Sequence, residues 1–423
     1  MVLLTKLKRL SFCLPEKSGC LVVVDQMVVS IGNFLVVVLL ARFLGVDDFG
    51  RFTIAWLILL FSSSLVMAVV VFPMLSTAPQ LKGGEKKEYV VGCIGSYLFG
   101  SAIWVFVGVV AYVLSSHVES GGIRTLIFPL IVCVVFVNLQ EVCRRSLVAL
   151  NKMRLVLISD VVTYGGRFIL VVVFGLFDGL SIEIGLWLCA GSSVFGVLVC
   201  ASTLGFQGGL YSCTITAWRT NKSSAKWLLP SGVMQWTSIN LFVVCAAYLI
   251  GPASVATLRV CQSLLSVFNV LIQGLENLIP PKASLIYSEG GKSALKNYLV
   301  RCSLVGTLPF LGLIVFSFLW GEFVVVAIYG GDYENITSIL TIYSISYVFM
   351  YLVVPVRAGL RTIGKTKIWF LSYLVSSLFS ICLVYYLETT YFLVGAVSGM
   401  LIANIIIIAI SSAGLRTFLL GRS

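Results

Sequence analysis

The chain has 423 residues, 59% of them hydrophobic and 11% charged, with a mean hydropathy of +1.05. No water-soluble fold can bury that much apolar surface, so composition excludes a soluble globular protein and makes lipid the solvent. The net charge of +12 is the Lys and Arg excess of cytoplasmic loops together with attraction to anionic headgroups, and it calls for no nucleic-acid partner.

A bilayer core takes about 20 apolar residues per helix. Residues 1–19 carry Lys6, Lys8, Arg9 and Lys17 and lack a compact apolar core ending in a small-residue cleavage site, which predicts an uncleaved cytoplasmic N-terminus. Breaking the apolar runs at Gly, Pro and charge clusters predicts helices at 20–44, 51–76, 89–114, 124–148, 155–177 and 182–204. A cytoplasmic linker at 207–226 follows. The second set lies at 227–250, 254–279, 297–320, 336–356, 368–387 and 391–414, ahead of a cytoplasmic tail at 416–423. The expected class is an all-α integral membrane protein of about twelve transmembrane helices, in bundles spanning 20–206 and 227–415.

Charge tests this layout independently. Basic residues fall at the N-terminus and at every even-numbered connection: Lys82, Lys86 and Lys87; Arg144, Arg145, Lys152 and Arg154; Arg219, Lys222 and Lys226. The pattern continues with Lys282, Lys292, Lys296 and Arg301, then Arg357, Arg361, Lys365 and Lys367, and ends with Arg416 and Arg422. Odd-numbered connections are acidic, with Asp47, Asp48, Glu119, Asp178, Glu183, Glu322, Asp332, Glu334 and Glu388. Both termini are therefore expected in the cytoplasm. The twelve cysteines sit mostly in apolar runs without CxxC spacing, and with the single His117 they give neither a disulfide scaffold nor a metal site.

The two halves repeat. Ser30-Ile-Gly-Asn33-Phe34 lies over Thr237-Ser-Ile-Asn240-Leu241, and Leu150-Asn-Lys152-Met-Arg154 lies over Ile363-Gly-Lys365-Thr-Lys367; Gly45 matches Gly251. Such parallel repeats imply a pseudo-twofold axis along the membrane normal, a cleft between halves and alternating access.

Polar groups at bilayer depth face a cavity or a partner. Asp160 and Arg167 fall about 20 degrees apart on a straight helix, two turns along one face. Arg259, Gln262, Ser266, Asn269, Gln273 and Asn277 fall within roughly 80 degrees over about 27 Å, a stripe that either lines a cleft or buries against other polar helices. A buried arginine keeps its charge and offers a fork suited to phosphate; for Arg167 the alternative is an ion pair with Asp160. Asp25, Glu141 and Glu276 are carboxylates near helix ends, open to interfacial pairing. Arg42 and Arg51 read as interfacial anchors. Gly92-x-x-x-Ser96-x-x-x-Gly100 and Gly395-x-x-x-Gly399 permit close helix packing, and Asn335-Ile-Thr337 fits a glycosylation acceptor pattern.

Asp25-Gln26, Ser30-x-x-Asn33-Phe34, Leu40-Ala41-Arg42-Phe43-Leu44-Gly45 and Phe49-Gly50 resemble the N-terminal signature of bacterial polysaccharide-biosynthesis flippases. These export O-antigen and capsule precursors and belong with the multidrug and toxin exporters in one superfamily. The charge-bearing 124–148 segment followed by Asn151-Lys152, and the two six-helix halves, are similar to the same group. The resemblance implies a V-shaped bundle in the cytoplasmic (inner) membrane that moves an undecaprenyl-pyrophosphate-linked oligosaccharide to the outer leaflet. It implies no cofactor beyond a proton or sodium gradient. Besides the polyprenyl-pyrophosphate-linked glycan and membrane lipid, polysaccharide polymerase and assembly proteins are candidate partners. On this reading Arg167 and Arg259 meet the pyrophosphate, Gln262, Asn269, Gln273, Asn240 and Asn33 meet sugar hydroxyls, and Asp25 or Asp160 binds the coupling ion.

A multidrug-type cation-coupled antiporter shares the expected fold, but it prefers an acidic, aromatic-lined cavity, and the two deep arginines lean against it. A polymerase or lipid-linked glycosyltransferase needs a sizeable outer loop, and none here exceeds about 15 residues; no catalytic dyad or metal motif appears. The same short loops disfavour a scaffold for assembly enzymes.

Overall fold

The computed structural model describes residues 16–115, 121–177, 179–204, 210–333 and 336–419. Lys6, Lys8, Arg9, His117, Glu119, Asp178, Glu334, Asn335 and Arg422, all named above, lie outside the described residues. Among those described the chain is helical and holds no strand. In order come α1 (Glu16–Val66), a π-helical turn (Met67–Val71), α2 (Phe72–Thr77), α3 (Gly83–Leu114), α4 (Gly121–Ala149) and α5 (Met153–Asp160). A second π-helical turn (Val161–Gly165) leads to α6 (Gly166–Leu176), α7 (Ile182–Leu204), α8 (Leu210–Leu249) and α9 (Pro252–Leu265). The chain ends with α10 (Val267–Leu319), α11 (Gly321–Tyr329), α12 (Thr337–Thr362) and α13 (Thr366–Leu419).

Nine of the described helical stretches are long and apolar enough to cross a membrane. Three of these run for 57, 53 and 53 residues, far beyond the roughly 20 that span a hydrocarbon core. Each turns back at one non-helical residue: Gly45 (φ 73, ψ 173), Gly291 (φ 64, ψ −157) and Phe392 (φ 51, ψ −133). Each thus supplies two segments of crossing length, and the described residues hold the twelve that the apolar runs predict.

The repeat is visible in backbone hydrogen bonds. After α4, Leu150 N donates to Ser146 O (3.0 Å), Asn151 N to Val148 O (2.9 Å) and Lys152 N to Leu147 O (2.9 Å). After α12, Ile363 N donates to Gly359 O (3.1 Å), Gly364 N to Arg361 O (3.1 Å) and Lys365 N to Leu360 O (3.0 Å). Every donor and acceptor is displaced by the same 213 positions. Asn151 (φ 58) and Gly364 (φ 71) occupy the left-handed conformation that closes such helix ends, the first as the asparagine that tolerates it and the second as glycine. Gly45 (φ 73, ψ 173) and Gly251 (φ 115, ψ 174) likewise make equivalent turns.

The chain divides into two compact units, one built from residues through Val36 and Ser62–Leu229, the other from Val37–Phe61 and Pro230 onward. In the first unit, α3 packs on α4 and α4 on α7, around Val71, Met74, Val90, Cys93, Leu147 and Cys200, all fully buried. The expected 207–226 linker is, from Leu210, the start of α8. It lies so close to α3 that a side chain at Gly92 would overlap the main chain of Cys213. Gly100, assigned above to the same close-packing pattern, faces open space instead. In the second unit α12 packs between α10 and α13, and Gly399 of α13 admits the ring of Phe242 from α8.

Candidate functional site

Each unit contains a polar constellation among its helices. In the first, α4 carries Gln140, Glu141, Arg144 and Arg145, spaced so that Gln140 and Arg144 share a face one turn apart. Arg144 is only 7% exposed. Its Nη2 donates to Asp25 Oδ2 at 2.8 Å and its Nε to Asp160 Oδ2 at 2.5 Å, while Nη1 stands 3.9 Å from Glu141 Oε1. Gln140 Nε2 donates to the other oxygen of Asp160 at 3.3 Å, and Arg145 Nε to Glu141 at 2.6 Å. Asp25 and Asp160 are themselves buried. The layout above placed Arg144 in a cytoplasmic loop; it is instead the buried centre of the site. What hid it is its place near the basic end of an apolar segment, where charge counting alone assigns it to the loop.

Among the described ion pairs none joins Arg167 to Asp160, and the face expected to carry both is broken between them. The π-helical turn Val161–Gly165 separates them, and its wider turn rotates everything beyond it relative to a straight helix. Asp160 therefore faces α4, whereas Arg167 faces α7. There Nε donates to Ser192 Oγ at 3.1 Å, and Nη2 to Ser193 Oγ at 3.2 Å and Cys189 O at 3.4 Å, with the Tyr164 ring 5.6 Å away. Arg167 is 4% exposed. Gly32 brings α1 against this turn, since a Cβ there would stand 2.8 Å from Tyr164 Cβ; Asn33 beside it is half-buried.

The first-unit site has an unbalanced charge. Asp25, Glu141 and Asp160 are three carboxylates against the two guanidiniums of Arg144 and Arg145. Asp25 Oδ1 is buried and makes no hydrogen bond among the described residues. A desolvated oxygen of this kind is costly unless a proton or cation joins it, so the cluster has room for one positive charge.

In the second unit the helix predicted at 254–279 is interrupted at Ser266, where α9 ends and α10 begins. Ser266 still keeps helical angles (φ −62, ψ −21), so the predicted stripe runs on past it. Before Ser266, Gln262 Nε2 donates to Tyr343 Oη at 2.7 Å; after it, Asn269 stands near Tyr347. Both partners stand on one face of α12, an element whose tyrosines at 343, 347 and 351 recur every four residues. Arg259 lies half-buried, within electrostatic reach of Tyr329, Tyr343 and Tyr347. No carboxylate pairs with it among the described residues. Gln273 is exposed, and Asn240 Nδ2 donates along its own helix to Trp236 O at 3.1 Å.

Other charges named from sequence are settled by pairing. Glu276 meets Arg357, whose guanidinium also lies 5.0 Å over the Trp369 ring. Arg42, read above as an interfacial anchor, caps α11 by donating from Nε to Ile328 O (2.6 Å) and from Nη2 to Ala327 O (2.7 Å). Arg51 makes an exposed pair with Asp48 at 3.6 Å.

Nine described stretches apolar enough to cross a membrane, with a helix-end motif repeated 213 residues apart, are features that solved structures share or lack as a whole fold. A multidrug-resistance MATE family transporter of the MOP superfamily, solved in an inward-facing conformation, superposes with a TM-score of 0.69 at 15% identity, covering 92% of this chain and 95% of that one. The lipid II flippase MurJ, in an inward closed conformation, gives 0.69 at 16% identity over 93% and 87%. The fold is that of the MOP transporters. A MOP superfamily transporter from Pyrococcus furiosus, described as having a binding pocket of reversed polarity, gives 0.63 at 14% identity over 95% and 94%. The MatE family model matches residues 230–386, which in this MOP fold run from α8 into α13. No curated protein matches.

Proposed function

We propose that this protein is a flippase that moves an undecaprenyl-pyrophosphate-linked oligosaccharide from the inner to the outer leaflet of a bacterial cytoplasmic membrane by alternating access. The observation that carries this reading is Arg259. An arginine at membrane depth stays charged, and one without a carboxylate partner is costly unless its ligand supplies the anion. A pyrophosphate does so bidentately. The surrounding Tyr329, Tyr343 and Tyr347, with Gln262 and Asn269, add rings and hydrogen-bonding groups suited to a sugar. Arg167, already held by two serines and a carbonyl, has the weaker case for substrate contact. The similarity to a lipid II flippase supports a lipid-linked cargo.

In the first unit, the Asp25–Arg144–Asp160 cluster is the proposed seat of the coupling ion, a proton or sodium ion balancing its extra negative charge. The similarity to multidrug MATE transporters and this acidic site favour a second reading, a cation-coupled antiporter of small molecules. Binding separates the two. A polyprenyl pyrophosphate titrated into the purified protein is expected to lose ten- to hundredfold in affinity with Arg259→Ala, the worth of one charged hydrogen-bonding group at about 1.5–3 kcal/mol, and less with Arg259→Lys. Tight binding of organic cations, unaffected by either change, would replace the flippase reading with the antiporter.

A further inference from the structure

Glu388 is an acid that neither constellation uses. Its position near the end of an apolar segment marks it as an outer-loop residue in the charge pattern, yet α13 runs through it and it is 0% exposed. Both carboxyl oxygens, Oε1 and Oε2, are buried without a hydrogen-bond partner among the described residues. Among the described residues no ion pair reaches it. Cys245 of α8 is the titratable group near enough to sense its charge. Thr389, the next residue, directs its hydroxyl to its own helix at Tyr385 O, 2.8 Å away.

The stripe of α13 that contains Glu388 is unusual. Ser372, Ser376, Ser380, Val384 and Glu388 recur every four residues, one above another, and all are buried. Ser411 Oγ donates to Ser372 Oγ at 3.2 Å and the Ser376 and Ser238 hydroxyls meet at 2.9 Å, while Ser380 Oγ donates within its own helix to Ser376 O at 2.9 Å. Val384 separates this hydroxyl column from Glu388. In the other direction α13 turns back at Phe392, four residues or about 6 Å beyond.

We propose that Glu388 is a proton-binding site of the second unit, loaded from the outer face, closed toward the serine column by Val384, and distinct from the first-unit cluster. A bare carboxylate cannot remain in such a place, because an uncompensated buried charge costs several kcal/mol. A metal ion would need several oxygen ligands, and neither Glu388 oxygen has a polar neighbour within hydrogen-bonding distance. A proton needs none. The step is a simple transfer: hydronium on the outer side gives its proton to one carboxylate oxygen, forming an O–H bond and leaving water, and release reverses it. Movement of α13 that lets water past Val384 would let that water take the proton, breaking the O–H bond, regenerating the carboxylate and leaving hydronium, so the site can couple a proton gradient to transport whatever the cargo.

Infrared spectroscopy of the full chain in lipid nanodiscs tests this without any cargo. The expected result at neutral pH is the carbonyl band of a protonated carboxylic acid, shifted by carbon-13 labelling of glutamate and absent in Glu388→Gln, unchanged by sodium. No glutamate-derived band, or one removed by sodium, overturns the proposal, and the labelling result decides even where the variant fails to assemble. In proteoliposomes, an outer-acid pH gradient is expected to accelerate transport by wild type and to have no effect on Glu388→Gln. Acceleration retained by the variant would overturn the coupling role, while absence of any transport with the infrared band present counts against the cargo alone.

Discussion

Arg144 is the residue on which the first unit's interior turns. Its single guanidinium bridges Asp25 on α1 and Asp160 on α5, so removing it leaves two buried carboxylates uncompensated. Breaking such a pair costs about 3–5 kcal/mol. Arg144→Ala is therefore expected to lower the thermal midpoint of the purified protein sharply, and adding Asp25→Asn and Asp160→Asn to recover much of the loss; a single variant as stable as wild type would show that the bridge carries no structural weight. Arg167→Lys should be milder, since two serine hydroxyls and a carbonyl can still accept from an ammonium. Residue type made Asp160 and Arg167 conspicuous in the sequence, because a charge inside an apolar run needs a partner, whereas Arg144 reads as a loop charge. The partners were not legible. Asp160 and Arg167 look adjacent on an ideal helix, and only the π-helical turn between them shows that they face different neighbours.

At the level of elements, period and punctuation carried most of the information. Runs of apolar residues located the crossing segments, and the matched positions Asn151 and Gly364 marked equivalent helix ends. This gives a test of the repeat: because the first half accommodates asparagine at φ 58, Gly364→Asn is expected to change stability by well under 1 kcal/mol. Gly364→Val places a β-branched residue in the left-handed region and should cost roughly 1–2 kcal/mol. Thermal-shift measurements on the two variants decide it, and equal losses would mean that the turns are not equivalent. Breaks that no Gly or Pro announces were illegible. Phe392 turns α13 back on itself at φ 51 without a glycine to mark the place. Glu388 shows the same limit, since a charge near a predicted helix end reads as a loop residue until the helix is seen to continue past it.

For the whole molecule, the charge pattern predicts that the connection around Lys82 and Gly84 is cytoplasmic and that the one around Asp332 is outside. Epitopes inserted at these two points and probed in intact and permeabilised cells should label in opposite fashion, and labelling of both in intact cells would refute the layout. Transport is the proposal made above, and its cargo rests on Arg259. The most direct test uses liposomes containing the purified protein and a fluorescent polyprenyl-pyrophosphate oligosaccharide, with an impermeant quencher outside, comparing wild type, Arg259→Ala and protein-free vesicles. Exchange of label between leaflets that is fast with wild type and falls to the protein-free rate with Arg259→Ala is the predicted outcome. Exchange at the protein-free rate with wild type, with and without proton and sodium gradients, would contradict the flippase account.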